Sequence, residues 1–409
     1  MSGAGGLRDA GARAARWEDA IGRHVSELET PVVVADLDVV DRNVARAAAY
    51  ARERGLALWP HLKTHKTVAL AARQRDAGAA GFTVAKTREA ELFAAAGFGP
   101  LLLHYPAWGT AKWERLAQVA GQVPLTVALD SLAAAEGLDR ALRARGTSAE
   151  VLIELDAGMR RTGVGGAAEA LALAEGVERL APAGGAASHS AGGAPMSSAP
   201  SGASASGLRV AGISCYPGHV RGTLAEVRDG LARVEQLLRA TRDAFAAAGI
   251  RCDRVSGGST ATLFLAHETV MTEVRAGNYV FLDRSEARGA WQEDDAALQV
   301  HASVISTSVP GRMVLDTGSK TLGEAGAPAG LTGWGRLTTA PGAEVVSLNE
   351  EHAVCELPPE LAATARVGDR HQLVPNHACT CVNLHDAILA ARNGVVEEVW
   401  PLLTRGEVR

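Results

Sequence analysis

Aromatic residues make up only 4% of this 409-residue chain, and just four of them are tyrosines: Tyr50, Tyr105, Tyr216 and Tyr279. The core must therefore rest on Ala, Val and Leu, and the stretch after Asp283 contains no tyrosine at all. Cysteine is also sparse. There are five, at 215, 252, 355, 379 and 381, and no apolar leader lies between Met1 and His24. An odd count in such a chain excludes a disulfide framework and points to reduced thiols in the cytoplasm. No apolar run approaches the roughly 20 residues of a membrane span. Basic runs are missing and the formal net charge is −5, which excludes nucleic acid and anionic membrane as partners. The remainder is 47% hydrophobic and 21% charged, as in an ordinary globular protein. The length fits one large barrel plus a further module.

A regular alternation runs through the first two thirds of the chain. Short apolar runs at 31–35, 56–60, 81–85, 101–104, 125–129, 151–155, 209–214 and 254–256 are separated by helical patterns. Asp38 or Asp41 is placed to cap the helix that follows the first run. Strands alternating with helices imply a parallel sheet with right-handed crossovers, and eight of them suit a (β/α)8 TIM-type barrel. The expected organisation is α/β: an N-terminal helical lead over 1–29 (helix 13–28), a barrel over 30–283, and a β domain over 284–409. The last shows short strands between Gly and Pro turns, so it is read as mainly antiparallel. Segment 182–207, almost wholly Ala, Gly, Ser and Pro, reads as a disordered insertion in the barrel.

In a barrel of this type, chemistry collects at the C-terminal ends of the strands. The densest polar cluster there is Pro60-His61-Leu62-Lys63-Thr64-His65-Lys66. In an extended segment His61, Lys63 and His65 share a face. Desolvation, with Lys66 or a protonated histidine as a second cation, lowers the pKa of Lys63 and yields an amine able to form a Schiff base. The expected cofactor is pyridoxal 5′-phosphate (PLP). Gly257-Gly258-Ser259-Thr260 is a glycine turn before a helical segment, suited to a phosphate. Gly277-Asn278-Tyr279 is either part of the same phosphate cup or a plain turn. Arg161 is aimed at the pyridine nitrogen or ion-paired with Asp156. Tyr216 and His219 follow another strand. In the β domain, His377, Cys379 and Cys381 fall on one face of an extended segment. A His and a Cys at that spacing either share a divalent metal, Zn²⁺ being favoured by imidazole and thiolate, or pack as a buried pair.

Taken together, the 60–66 cluster, the 156–164 segment, Tyr216, Gly257-Gly258-Ser259-Thr260, Gly277-Asn278-Tyr279 and His377-Ala378-Cys379 resemble the D-threonine aldolase / D-serine dehydratase family. These are fold-type III PLP enzymes with an alanine-racemase-like barrel. The resemblance implies Lys63 as the Schiff-base lysine, His61 as a base near the substrate and Arg161 beside the pyridine ring. It implies Tyr216 and residues 257–260 and 277–279 as cofactor contacts, and His377 with Cys379 as ligands of Zn²⁺ or Mn²⁺. A homodimer is implied as well.

The implied activity is a lyase reaction on 3-hydroxy-D-amino acids. Retro-aldol cleavage to glycine and an aldehyde is the first reading, and dehydration of D-serine to pyruvate and ammonia is the alternative. Cys379 resembles the dehydratases, whereas residues 382–386 and 394–400 resemble the aldolases. Racemization by the alanine-racemase route needs a tyrosine base in the β domain, and that domain has none. The Cys-Glu-Ser-x-Asp stretch of the related decarboxylases is absent too. A non-catalytic PLP carrier is a remoter alternative, because it would leave the residues after Asp283 without a purpose.

Overall fold

The computed structural model describes residues 3–180 and 207–409. The expected insertion at 182–207 lies outside the described residues, except for Gly207, the first residue of a strand. The chain opens with helix α1 (Gly3–Ala14) and a 3-10 turn (Ala15–Ala20), so the helix expected over 13–28 lies further upstream. In order there follow β1 (Val32–Asp36), α2 (Leu37–Glu53), β2 (Ala57–Leu58), α3 (Val68–Asp76), β3 (Phe82–Val84), α4 (Thr87–Ala95), β4 (Leu101–Leu103) and α5 (Thr110–Ala120). Next come β5 (Leu125–Leu129), α6 (Leu132–Arg145), β6 (Ser148–Leu155), α7 (Ala167–Glu178), β7 (Gly207–Cys215), α8 (Leu224–Ala247), β8 (Arg254–Gly257) and β9 (Glu273–Val274). The second part comprises β10 (Leu298–Ser306), β11 (Arg312–Leu315), α9 (Ser319–Leu322), β12 (Arg336–Leu337), β13 (Glu344–Leu348), β14 (Ala353–Glu356), α10 (Pro359–Thr364), β15 (Arg370–Val374), α11 (Ala378–Val382), β16 (Ala387–Arg392) and β17 (Val395–Pro401).

Local chemistry accounts for the helix starts. Asp36, not Asp38 or Asp41, caps α2 by accepting from the N–H groups of Asp38 and Val39. Ser131 caps α6, and Thr223 forms a reciprocal capping box with Glu226 at α8.

Eight parallel strands, β2 through β9, make one sheet in the order β2-β9-β8-β7-β6-β5-β4-β3. The ring closes between β2 and β3 through a bridge at His61–Thr83. Leu62 N–H donates to Thr83 O and Thr83 N–H to Pro60 O, each at 2.8 Å. The eight-strand count thus holds with a change of membership. The run at 31–35 is β1, which leaves the barrel, pairing antiparallel with β10 and parallel with β16 in a nine-stranded sheet. Its place in the ring is taken by β9, a two-residue strand too short to register as a period. The other pairings of the nine-stranded sheet are antiparallel. One hydrophobic cluster runs from barrel to sheet. Among the described residues no helix is long and apolar enough to cross a membrane.

With few aromatic side chains to fill it, the N-terminal end of the barrel holds an ionic network. Arg254 at the start of β8 reaches both oxygens of Glu273 (2.9 and 3.0 Å), Glu150 (3.0 Å) and Thr126 Oγ1 (2.7 Å), and its guanidinium lies 4.6 Å from the Trp59 ring centre. Glu273 is buried, so removing Arg254 leaves a buried carboxylate without its counter-charge. Arg254→Ala should destabilise the protein by about 3–5 kcal/mol, measured by urea or thermal unfolding; a change under about 1 kcal/mol would show that the network is not structural.

Candidate active site

The C-terminal mouth of the barrel is organised by the chain after β2. Its ladder continues past the strand, with Trp59 N–H donating to Val274 O and His61 N–H to Ala276 O. The backbone then leaves the extended form. Lys66 N–H closes a turn onto Leu62 O, and Lys66 itself has φ +56°. The common face expected for His61, Lys63 and His65 is therefore not formed. His65 is buried and bonded to Gln74 (3.2 Å), and Lys66 pairs with the buried Glu89 (3.2 Å) and with Thr404 O (3.2 Å). Lys66 is thus committed elsewhere and is not the second cation beside Lys63.

Lys63 Nζ instead faces the Tyr216 ring (5.8 Å to its centre), and the Arg161 guanidinium lies over the same ring (5.1 Å). Residues following β2, β6 and β7 thus converge at one point. Arg161 forms no ion pair with Asp156 among the described residues. Asp156 spends Oδ1 on the N–H groups of Gly158 and Arg160, which shapes the loop that delivers Arg161. His219 packs on that loop, where a Cβ on Gly158 would come within 2.8 Å of its ring. Burial, and then the charges of Lys63, His104, Arg275 and His65, hold the His61 imidazole well below its ordinary pKa.

Three residues here carry no motif and escape a sequence reading: His104 after β4, Glu154 near the end of β6 and Arg275 after β9. Glu154 accepts from Thr162 Oγ1 (2.7 Å) and lies 4.0 Å from His104 Nε2. Burial raises the Glu154 carboxyl and lowers His104 well below its ordinary value. Arg275 is buried and donates to Cys215 O. Several buried polar atoms at this mouth have no protein partner: His104 Nε2, Glu154 Oε2, Ser214 Oγ, Ser256 Oγ, and Arg275 Nε and Nη1. All belong to residues at or beside the C-terminal ends of barrel strands. Folded proteins rarely leave so many buried polar atoms unsatisfied in one place, so the mouth fits a polar, anionic ligand.

The two glycine turns flank this mouth. Gly258 has φ +84°, and a Cβ on Gly257 would come within 2.7 Å of Met271 Cε, so both positions favour glycine. The helix expected after the first turn is a short 3-10 segment (Leu263–Glu268), and Ser259 N–H is already given to Thr262 Oγ1 (2.8 Å). Thr260 O accepts from Trp291 Nε1. Gly277 packs against the lysine turn, where a Cβ would lie 2.9 Å from His61 O and 3.0 Å from Thr64 Oγ1. The side chains of Asn278 and Tyr279 take protein partners, Asp283 and Gln74 respectively.

Over this mouth sits the start of α11. His377 is its N-cap residue and Cys379 lies in its first turn, so the 377–381 segment is not extended. Cys381 accordingly diverges. It is buried, hydrogen-bonded to Thr321 O (3.2 Å), and its thiol is pushed up to about 12. His385 also turns to Thr321 O (2.9 Å). Cys379 Sγ lies 3.3 Å from Thr64 Oγ1, beside Lys63. His377 Nδ1 donates to Asp283 Oδ2 (3.0 Å), a fully buried carboxylate that the sequence reading treated only as a domain boundary. Burial alone would raise Asp283 and lower His377. Pairing outweighs burial: His377, Ser285 and Ala378 keep the Asp283 carboxyl below its ordinary value, and Asp283 together with Cys379 raises His377 to about 11. Burial raises the Cys379 thiol, but His377 and Lys63 bring it below its ordinary value overall. An imidazole oriented by a buried carboxylate beside an acidified thiol fits a soft-to-borderline divalent cation. No group of three or more His, Cys, Asp or Glu suited to a metal occurs among the described residues.

Comparison with known proteins agrees with this architecture. Residues 35–285 match the family described as alanine racemase, N-terminal domain, and residues 297–391 match the putative serine dehydratase domain. The D-threonine aldolase of Arthrobacter sp is 32% identical over 399 residues, covering 94% of this chain and 95% of that protein. The D-threo-3-hydroxyaspartate dehydratase of Delftia sp. is 33% identical over 378 residues, covering 86% and 91%. A cysteine-to-alanine mutant of a D-threo-3-hydroxyaspartate dehydratase, solved in a metal-free form, superposes with TM-score 0.78 at 30% identity, covering 92% of this chain and 98% of that one. The crystal structure of D-threonine aldolase from Filomicrobium marinum superposes with TM-score 0.82 at 29% identity, covering 95% of this chain and 99% of that one. By its barrel, its second domain and this full-length similarity, the chain belongs to the D-threonine aldolase / D-serine dehydratase family of alanine-racemase-like proteins.

Proposed function

We propose that the protein is a PLP- and divalent-metal-dependent lyase of 3-hydroxy-D-amino acids, acting as a D-threonine-type aldolase. One observation carries this reading: Cys379, with His377 beside it, sits against Thr64, the neighbour of Lys63. A metal-binding pair and a cofactor lysine would then serve one substrate. Similarity to the Arthrobacter aldolase supports the same choice. In this reading Lys63 holds the cofactor, Arg161 and Tyr216 flank its ring, and the turns at 257–260 and 277–279 receive its phosphate. His377 and Cys379 hold the cation, Zn²⁺ being favoured by the nitrogen and sulfur donors over Mn²⁺. The assembly proposed is the homodimer that the family resemblance implies.

Bound PLP supplies a sink for the electron pair left at Cα when the Cα–Cβ bond breaks, and the cation supplies a Lewis acid for the β-hydroxyl. The protein's own contribution is orientation and proton handling. Asp283 accepts the Nδ1 hydrogen of His377, so Nε2 is the nitrogen that would hold the cation, which must displace the proton there. His61, kept neutral by burial and neighbouring cations, has a lone pair for the β-hydroxyl proton at neutral pH. Cleavage of D-threonine this way gives glycine and acetaldehyde. Dehydration is the second reading, with Lys63 as α-proton base. It is favoured by one observation, the cysteine at position 379, the residue type by which this chain resembles the dehydratases of the family.

Offered D-threonine and D-serine side by side, the holoenzyme should release glycine and acetaldehyde from the first. Pyruvate and ammonia instead would establish the dehydratase, and no product from either would reject both the D-threonine aldolase and the D-serine dehydratase readings. Both activities should vanish in Lys63→Ala and in chelator, and Zn²⁺ or Mn²⁺ should restore the chelated enzyme. Asp283→Asn should weaken metal affinity by about 10–100-fold in a competition titration, as loss of the group orienting a metal-bound histidine does; unchanged affinity would remove Asp283 from that role. The lowered pKa of His61 also fixes the sign of the pH dependence. Its conjugate acid forms only well below 6.5, so kcat/KM should hold as pH falls through 6.5 and decline further down. His61→Gln should cost about 10²–10⁴-fold in kcat/KM, and an acid limb centred near 6.5 would mean that another group is the base.

A further inference from the structure

Two residues of the recognised motifs, His65 and Tyr279, turn their side chains to neither Lys63 nor the metal pair. They meet each other through Gln74 on α3, a residue that no motif marks. Thr67 N–H donates to His65 Nδ1 (3.2 Å), so this nitrogen is the acceptor and Nε2 carries the hydrogen. His65 Nε2 then donates to Gln74 Oε1 (3.2 Å), which sets the amide so that Gln74 Nε2 donates to Tyr279 Oη (3.0 Å). All three side chains are buried. Each of the three hydrogen bonds therefore runs from a donor to an acceptor, and the directions agree for a neutral His65. Burial supplies that state, bringing the His65 imidazole down to about 4.

The two ends of this chain belong to the two turns that must agree for a cofactor to bind. His65 lies in the irregular turn 61–66 that carries Lys63. Tyr279 lies in the 3-10 turn (Asn278–Val280) that follows Gly277. On the inner side the turns already touch, since Gly277 admits no Cβ against His61 and Thr64. On the outer side α3 acts as a fixed post. Its N-cap is Thr67, at the end of the lysine turn, and Gln74 lies two helical turns on.

We propose that Gln74 is a positioning residue: by bridging His65 and Tyr279 it sets the separation between Lys63 and the 277–279 turn, and so governs PLP affinity. This rests on the PLP reading above. Lys63 must reach the cofactor's carbonyl carbon while the turn meets its phosphate, and the span between those two points in PLP is fixed. If the bridge is lost, the two turns relax independently and binding must pay to bring them together.

The test is PLP titration of the apoenzyme, followed by cofactor absorbance and circular dichroism, for wild type, Gln74→Leu, Tyr279→Phe and the double variant. Each single variant removes a bridging hydrogen bond with little change of volume. Each should raise the PLP Kd by about tenfold and alter the circular dichroism of the bound cofactor. The double variant should bind no more weakly than the worse single one, since both break one chain. A purely structural role predicts a lower apoenzyme Tm with unchanged Kd and cofactor spectrum, and that result in both single variants overturns the assignment. Additive losses in the double variant overturn it as well. If Gln74→Leu does not fold, Tyr279→Phe alone decides by the same criteria. Wild type that binds no PLP rejects the proposed function itself, whereas wild type that binds PLP and variants that bind it equally well reject only the bridge.

Discussion

The buried carboxylate of Asp283 is the constraint on which the rest of the site depends. It accepts five hydrogen bonds: from Asn278 Nδ2 (2.6 Å), Ser285 N–H (2.9 Å) and Oγ (2.6 Å), Ala378 N–H (2.7 Å) and His377 Nδ1 (3.0 Å). Three come from the chain leaving the barrel and two from the start of α11 in the other part of the fold. An ionised carboxyl with no exposed surface is tolerable only with this degree of satisfaction. The same bonds therefore tie the segment after Gly277 to the segment bearing His377 and Cys379. Asp283 fixes the orientation of the His377 ring, starts α11 through Ala378 N–H, and brings Cys379 within reach of Thr64. Stability and site geometry depend here on one group, since loosening it disturbs both faces of the mouth together.

The lysine turn depends on that arrangement from below. Barrel closure between β2 and β3 is made at His61 by irregular backbone, not by a long strand pair, and a lysine in the left-handed region follows three residues after Lys63. A non-glycine residue at φ +56° costs of order 1–2 kcal/mol. The pairing of Lys66 with Glu89 and Thr404 O offsets that cost and ties the turn to α4 and the C-terminal tail. Lys66 thus belongs to the machinery that holds Lys63, although it does not act on it electrostatically.

This explains what was legible in the sequence. The eight-strand rhythm was, because buried parallel strands are continuous apolar runs. Which runs closed the ring was not. Residues 31–35 are as apolar as any barrel strand, and only their pairing with β10 and β16 reveals the other sheet, while β9 offers two residues and no period. Lys63, Arg161, Tyr216, His377 and Cys379 were legible as candidates because they stand in dense or unusual polar clusters, and the fold brings Lys63, Arg161 and Tyr216 together. Face arguments based on extended chain failed at both 61–65 and 377–381, where a turn and a helix start replace strand. They failed because a two-residue alternation says nothing of where a strand ends. His104, Glu154, Arg275, Gln74 and Asp283 were invisible as site residues, being single polar residues that gain meaning only from long-range neighbours.

Those hidden residues also set the electrostatic character of the mouth. Lys63, Arg161 and Arg275 bring three basic side chains to it. Lys63 and Arg275 act on both His61 and His104, and Arg161 acts on His104; burial already keeps both imidazoles neutral. Against them stands Glu154, whose carboxyl burial pushes toward its own neutral form. A desolvated site with excess positive charge and unsatisfied donors is poorly compensated by protein alone. A phosphate-bearing ligand at this mouth would supply the missing negative charge and the missing acceptors at once, and its binding would then stabilise the folded barrel by linkage. In that reading an affinity of the mouth for an anionic cofactor and the cost of the mouth to the protein alone have the same origin. The chain meets that cost through the long-range ties of Asp283 and Lys66.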